Sequence, residues 1–319
     1  PTLEMLAAID ILRQLTPEST SATWLFEPSD ATRFVNRGAT IDYYLKGQPS
    51  KVQIEILDAQ GAIVNRFAEP PEPIRSDKDA GFSYSTRAPV PKLPAKAGMN
   101  RFTWNLRHAN ARNFPGLIMY GTDTRGPLVP PGTYRIRLTA DGVTRTQTVT
   151  VRKDPRLADV TDADLQEQAR FALEIQEKFS ATNDAVVRIR TIKGELADRA
   201  AQRPDARLKV IVDGLTNALT EIEGRLYQYR HRSQKSPLNF PNQLNNKLAV
   251  LRAVVDSADS RPTDQSYEVF KGLSAQFDQH LGALDALLKK ELPPLNKRLQ
   301  QLKVAPVTGE ARVSRPTFP

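Results

Sequence analysis

The chain has 319 residues, 39% of them apolar, with 45 Lys and Arg against 36 Asp and Glu and no cysteine. That length favours two domains over one, and the composition suits globular cores. Disulfides, thiolate nucleophiles and cysteine-ligated zinc are excluded, while the compartment stays open; no run approaches the ~18 apolar residues that a membrane span needs.

The net charge of +9 is spread along the chain: residues 1–152 hold 19 Lys and Arg against 14 Asp and Glu, leaving 26 against 22 (45 − 19 and 36 − 14) for the rest. A dedicated nucleic-acid domain concentrates its cations on one face, so an even excess points to solubility or to weak attraction for anionic surfaces. The chain begins at Pro1 and shows no signal peptide, so it reads as a processed chain or an excised fragment.

Residues 1–18 contain the apolar LEMLAAIDILRQL, ending at Thr16-Pro17, and read as a linker from an upstream element rather than as a free amphipathic helix. From Trp24 the period shortens. TWLF (23–26), ATIDYYL (39–45) and VQIEIL (52–57) are strands, and in the last Val52, Ile54 and Ile56 alternate with Gln53 and Glu55, as on a sheet with one buried face. Asp58–Gly61 turns the chain back into AIVNRF (62–67). A Pro-rich surface loop fills 69–96, and RFTWNL (101–106) follows with Phe102, Trp104 and Leu106 on one face. A second loop, 107–131, leads to TYRIRLTA (133–140), the Asp141-Gly142 hairpin turn and TQTVTV (146–151).

Some seven short strands with turns between them predict an immunoglobulin- or fibronectin-III-like antiparallel β-sandwich over 19–153. Trp104 and Tyr134 fill the space between its sheets.

After Asp154-Pro155-Arg156 the period becomes three to four. Thr161 caps a helix with a seam through Leu165, Ala172, Phe179, Val186 and Leu196, interrupted at Thr182–Asp184 and closed by Arg203-Pro204. A second helix uses Leu208 to Leu226, a third Leu244 to Val255, and a fourth starts at Thr263 and runs to Leu292. Pro293-Pro294 should kink or break the fourth. The spacing predicts an antiparallel, coiled-coil-like four-helix bundle over 154–302, then a tail at 303–319. Arg107 and Arg156 are candidates for the joint between sandwich and bundle, as two-pronged donors to carboxylates or carbonyls.

Chemistry is sparse. The three histidines, His108, His231 and His280, have no partners at metal-ligand spacing, and the glycines sit at turns rather than in a phosphate loop, so no catalytic residue, metal or cofactor is assigned. One basic cluster, RLYQYRHRSQK, sets Arg225, Arg230, Arg232 and Lys235 among Tyr227 and Tyr229 and could hold an anionic ligand or stack on bases. The plainer reading makes it the end of a helix, where cations complement the dipole, and no nucleic-acid partner is expected.

Several segments carry a resemblance: GATIDYYLKG, VQIEILDAQGAIVNRF, GMNRFTWNLR, PGTYRIRLTADG and DPR in the front half, and ADLQEQ, PLNFPNQLNNKLAVL and ELPPLNKRL in the back. From about residue 10 to 302 the chain resembles the module that follows the propeller in bacterial sortilin-like BNR-repeat proteins, often labelled glycosyl hydrolases; its sandwich is similar to the Ig-like domain of the flagellar hook-capping protein. The resemblance implies a secreted or cell-envelope, non-catalytic accessory module. It would dock on an upstream propeller of the same protein or complex, and its bundle would meet a protein partner or a second copy. The alternative is the glycan-binding part of a carbohydrate-active enzyme, using Trp24, Trp104 or Tyr120.

Overall fold

The computed structural model describes residues 11–33, 38–69, 91–232, 236 and 239–309. Residues 11–14 are helical (α1), where a linker was expected. The Gln14 amide pins this turn to the sandwich, accepting from Glu27 N at 2.8 Å and donating to Glu27 O at 3.1 Å.

Eight strands follow: β1 (Trp24–Leu25), β2 (Ala31–Thr32), β3 (Ala39–Leu45), β4 (Val52–Leu57), β5 (Ile63–Glu69), β6 (Gly98–Trp104), β7 (Gly132–Ala140) and β8 (Val143–Arg152). One sheet has the order β1-β3-β6 and the other β2-β8-β7-β4-β5; β2 runs parallel to β8 and the remaining pairs are antiparallel. A first strand split between two sheets, its second piece parallel to the last strand, makes this an immunoglobulin-like sandwich. Tyr134 supports the assignment, because near the start of β7 its hydroxyl donates back to Pro130 O at 2.8 Å, closing a tyrosine corner.

The inward positions of β4 and β7 (Val52, Ile54, Ile56, Ile136, Leu138) are buried against Ile41, Tyr43, Phe102 and Trp104 of the opposite sheet. Trp104 and Tyr134 meet edge to face at 5.4 Å between ring centroids. The strand expected over 101–106 ends at Trp104, and Leu106 takes a left-handed conformation (φ 56°) that turns the chain out of the sheet.

The back half holds α2 (Asp162–Gln202), α3 (Ala206–Leu226), α4 (Leu244–Val255) and α5 (Asp264–Gln301). Thr161 and Asp164 form a capping box at the start of α2. With 41 residues this helix is about 60 Å long. The helix is continuous through Thr182–Asp184, where the buried polar Thr182 and Asn183 interrupt its apolar seam at the expected place.

The four-helix antiparallel arrangement is corrected. Glu167 meets Tyr267, Lys178 meets Asp278 and Arg188 meets Asp285, so α2 and α5 run in the same direction. The return leg is shared. α3 covers the outer half of α2, through Arg190–Glu223 and Lys193–Thr220, and α4 covers the inner half, through Asn183–Asn245 and Gln168–Val255. Four helices thus make three legs.

Pro293 and Pro294 do not break α5. They lie on its exposed side, as do Lys289 and Lys290, whose carbonyls lose their intrahelical donors, while Leu288, Leu295 and Leu299 keep the buried stripe in phase. Nor are residues 303–309 a free tail. Lys303 turns the chain with φ 58°, Val304 and Val307 enter the helical core, and the Asn296 amide clasps Val307 N and O at 2.8 and 2.9 Å. Residues 310–319 lie outside the described part.

Candidate functional site at the junction of the two halves

The loop leaving β6, 107–131, was expected to belong to the sandwich. Its neck does belong to the sandwich: Arg107 bridges Leu128, His108 N donates to Pro127 O at 2.9 Å and Ala109 N to Val64 O at 2.9 Å. Gly126 makes the neck possible, since a Cβ there would lie 2.1 Å from His108 O. The rest, however, is a strap laid into the helices, with Ala111, Phe114, Leu117 and Met119 counted in the helical core.

A buried loop needs partners for its backbone, and the helices supply them from polar side chains. The Asn246 amide brackets Tyr120, accepting from its N at 2.8 Å and donating to its O at 3.1 Å. Asn183 Nδ2 donates to Arg112 O at 2.8 Å, and Asn245 Nδ2 donates to Asn183 Oδ1 at 3.2 Å. Tyr227 Oη accepts from Ile118 N at 3.2 Å while its ring meets Phe114 edge to face at 5.1 Å. The polar break in the α2 seam is therefore the strap's seat.

Charged groups close the junction around it. Asp256, the C-cap of α4, accepts from Arg107 Nη1 at 2.5 Å and from Leu128 N at 3.1 Å, with Arg252 Nη1 at 3.6 Å. On the far side Arg33, buried just after β2, donates to Asp259 Oδ1 at 2.9 Å and to Gln168 Oε1 at 3.0 Å. Gln168 in turn donates to Val255 O at 2.8 Å and to Ala258 O at 2.5 Å, which fixes the turn between α4 and α5. Burial lowers the pKa of Arg33 and of Arg252 against the pull of their carboxylates, and it raises that of Asp259. Burial also pushes the His108 imidazole down to about 4, and its Nε2 is enclosed with no hydrogen-bond partner among the described residues. Such a cluster suits holding two bodies in one geometry, because removing one member strands another charge out of water.

The residues singled out from sequence fall in different places. Trp104 is fully buried with Nε1 donating to Arg107 O at 3.0 Å, so it forms no ligand platform. Arg107 reaches across to the bundle. Arg156, expected beside it, instead turns Nε and Nη2 onto Asp154 within its own turn, with its side chain 76% exposed.

The basic cluster is not one surface. Tyr227 is buried in the strap contact; Arg230 stacks on Tyr229 and Phe240; Arg232 Nη1 donates to Tyr229 O at 2.9 Å; and Arg225 projects from the exposed side of α3. Lys235 lies outside the described residues.

Sequence reasoning missed Arg33, Gln168, Asn183, Asn245, Asn246, Asp256 and Asp259. The available signals were the polar break at 182–184, an Asn pair on an otherwise apolar helix face, and the acidic turn at 256–259.

Two cavities border other parts of the molecule. One of about 750 Å³ opens between α2 and α3 near their turn and is lined by Ala197, Ala200, Pro204, Leu208 and Val212; a smaller one, about 300 Å³, lies at the end of the sandwich beside Lys46 and Asp141. Among the described residues no group of three or more His, Cys, Asp or Glu could hold a metal ion, and no helix is long and apolar enough to cross a membrane.

No protein-family model matches the sequence, and no curated protein matches it. Among solved structures the chain is similar to CopC from Methylosinus trichosporium OB3b, at 13% identity over 41% of this chain and 94% of that one, with a TM-score of 0.20. It is also similar to the Ig-like domain of human leucine-rich repeat-containing protein 4 (12% identity, 44% and 93% covered, TM-score 0.21) and to the Ig1 domain of mouse SynCAM 2 (10%, 41% and 98%, TM-score 0.20). At such scores the likeness adds nothing to the strand order, which is what assigns the sandwich.

Proposed function

We propose that this chain is a non-catalytic accessory module: the sandwich docks on a propeller, as the resemblance to sortilin-like BNR-repeat proteins implies, and the helices form an arm that meets a protein partner. The observation that supports this reading is the strap. A sandwich loop whose apolar side chains complete the helical core, closed by the Arg33–Asp259 and Arg107–Asp256 pairs, ties arm to sandwich at a fixed angle. The outer part of the arm carries the cleft at Ala197, Ala200 and Val212, a seat for an apolar ridge of a partner. Secretion, or residence in the cell envelope, follows from the same resemblance. Glycan binding through tryptophan is not favoured, because Trp104 is enclosed and Trp24 lies beneath the Arg145 guanidinium at 5.5 Å.

Calorimetric titration of the chain against a purified propeller of a sortilin-like BNR-repeat protein tests the reading. Saturable binding is expected, with no turnover of aryl glycosides by the chain alone. A flat titration, or hydrolysis by the isolated chain, would overturn it.

A further inference from the structure

The outward face of the five-stranded sheet belongs neither to the junction nor to the arm. The register sets its side chains in rows. Arg66, Glu55, Arg137 and Thr146 lie opposite one another across β5, β4, β7 and β8. The row on one side is Leu57, Arg135 and Thr148; the row on the other is Ala68, Gln53, Thr139 and Thr144. Thr133 and Thr150 extend the hydroxyls beyond Arg135.

Three features of this face restrict what it can hold. First, Glu55 is the one carboxylate among these positions, and it is already engaged. Its Oε1 accepts from Arg66 Nε and Nη2 at 3.0 and 2.7 Å, and its Oε2 accepts from Arg137 Nε at 2.7 Å. Three arginines against one anion leave the face cationic. Arg135 is exposed, and the Arg137 side chain keeps 40% of its surface open even while bound to Glu55.

Second, the cations are spaced by the pleat, about 7 Å apart along β7 and about 10 Å apart from β5 to β7. The Arg66 and Arg137 guanidiniums nevertheless converge on Glu55, so the face presents that paired site and, one repeat along β7, the separate guanidinium of Arg135. Third, the other exposed groups are Thr hydroxyls, which both donate and accept, and no aromatic ring occurs in these rows. Single-stranded nucleic acid is held by aromatic stacking as well as by charge. A chain of hydroxylated, carboxylated sugars needs forked cations and hydroxyl partners.

We propose that this sheet face binds an acidic polysaccharide, its carboxylates on Arg135 and Arg137 and its hydroxyls on the threonines of β7 and β8.

Immobilised polygalacturonate, read by biolayer interferometry against the full chain, is the probe, with neutral dextran and a single-stranded oligonucleotide beside it. Binding to polygalacturonate that weakens as salt rises is expected. Arg135→Glu should weaken it about tenfold, equivalent to about 1.4 kcal/mol. Thr148→Glu, which places an acid opposite Arg135 on the neighbouring strand, should act in the same direction without altering any buried group. Arg230→Glu and Arg232→Glu, on the far side of the strap, should leave affinity unchanged, which separates this face from the general charge of +9. The proposal is overturned by any of three results: no binding at low salt, equal binding of dextran or oligonucleotide, or folded Arg135→Glu and Thr148→Glu variants that bind as the parent does.

Discussion

Gly126 sits where the strap's neck is narrowest. A methyl group there would meet His108 O at 2.1 Å and Ala109 O at 2.5 Å, both backbone atoms that cannot turn aside. Gly126→Ala should therefore destabilise the protein by about 3 kcal/mol, at the upper end for overpacking, as read from the midpoint of urea unfolding. Asp256→Ala removes the acceptor of Arg107 and Leu128 N and leaves Arg252 beside an emptied site. A loss of about 3–5 kcal/mol is expected; replacing Asp30, whose pair with Arg152 is exposed, serves as the comparison.

His108 gives the junction a pH dependence. Its folded pKa of about 4 lies below the ordinary 6.5, so between those values the unfolded chain binds the proton and the folded chain does not. Stability is then complete above 6.5 and falls as pH drops toward 4. Asp259, whose pKa is raised, works in the opposite direction at the acid end. Unfolding midpoints measured from pH 7 to pH 4 should decline for the parent and decline less for His108→Asn; equal slopes would remove His108 from the account.

At the scale of elements, the sandwich strands were legible because burial on one face imposes period two. Val52, Ile54 and Ile56 announce β4 without help. β2 was not legible, since two residues carry no period and Ala31–Thr32 is a strand only because β8 lies beside it. The helices were legible from their stripes and from Thr161, but their arrangement was not, because a seam records that a helix is covered and not which helix covers it. The strap was the least legible element. Phe114, Leu117 and Met119 follow no period, and their partners lie far along the chain, on the helices. Asn246→Ala tests the seat: it strips both backbone partners from Tyr120 and should cost about 2 kcal/mol. Amide exchange at 118–122 should accelerate more than exchange in β7.

As a whole, the molecule should not come apart at the sandwich–bundle boundary. Ala111, Phe114, Leu117 and Met119 belong to the helical core although β6 and β7 on either side of them belong to the sandwich. A single unfolding transition is expected by calorimetry, and a chain starting at residue 154 should bind a hydrophobic dye that the full chain does not. Two well-separated transitions would contradict this. Of the junction, sequence reading named Arg107 but not the buried arginines: Arg33 and Arg252 are spelled like any surface arginine, and only the converging acids of the 256–259 turn mark them as enclosed.

The strap also sets a timetable for synthesis. Ile118 and Tyr120 find their hydrogen-bond partners 109 and 126 residues later in the chain, on Tyr227 and Asn246. A ribosome adding about 5–20 residues each second leaves Phe114 and Met119 without their seat for many seconds after β6 has emerged. During that interval the nascent chain displays a sticky segment, so a holdase that shields it should raise the yield of soluble protein, and slowing elongation after residue 131 should lower it.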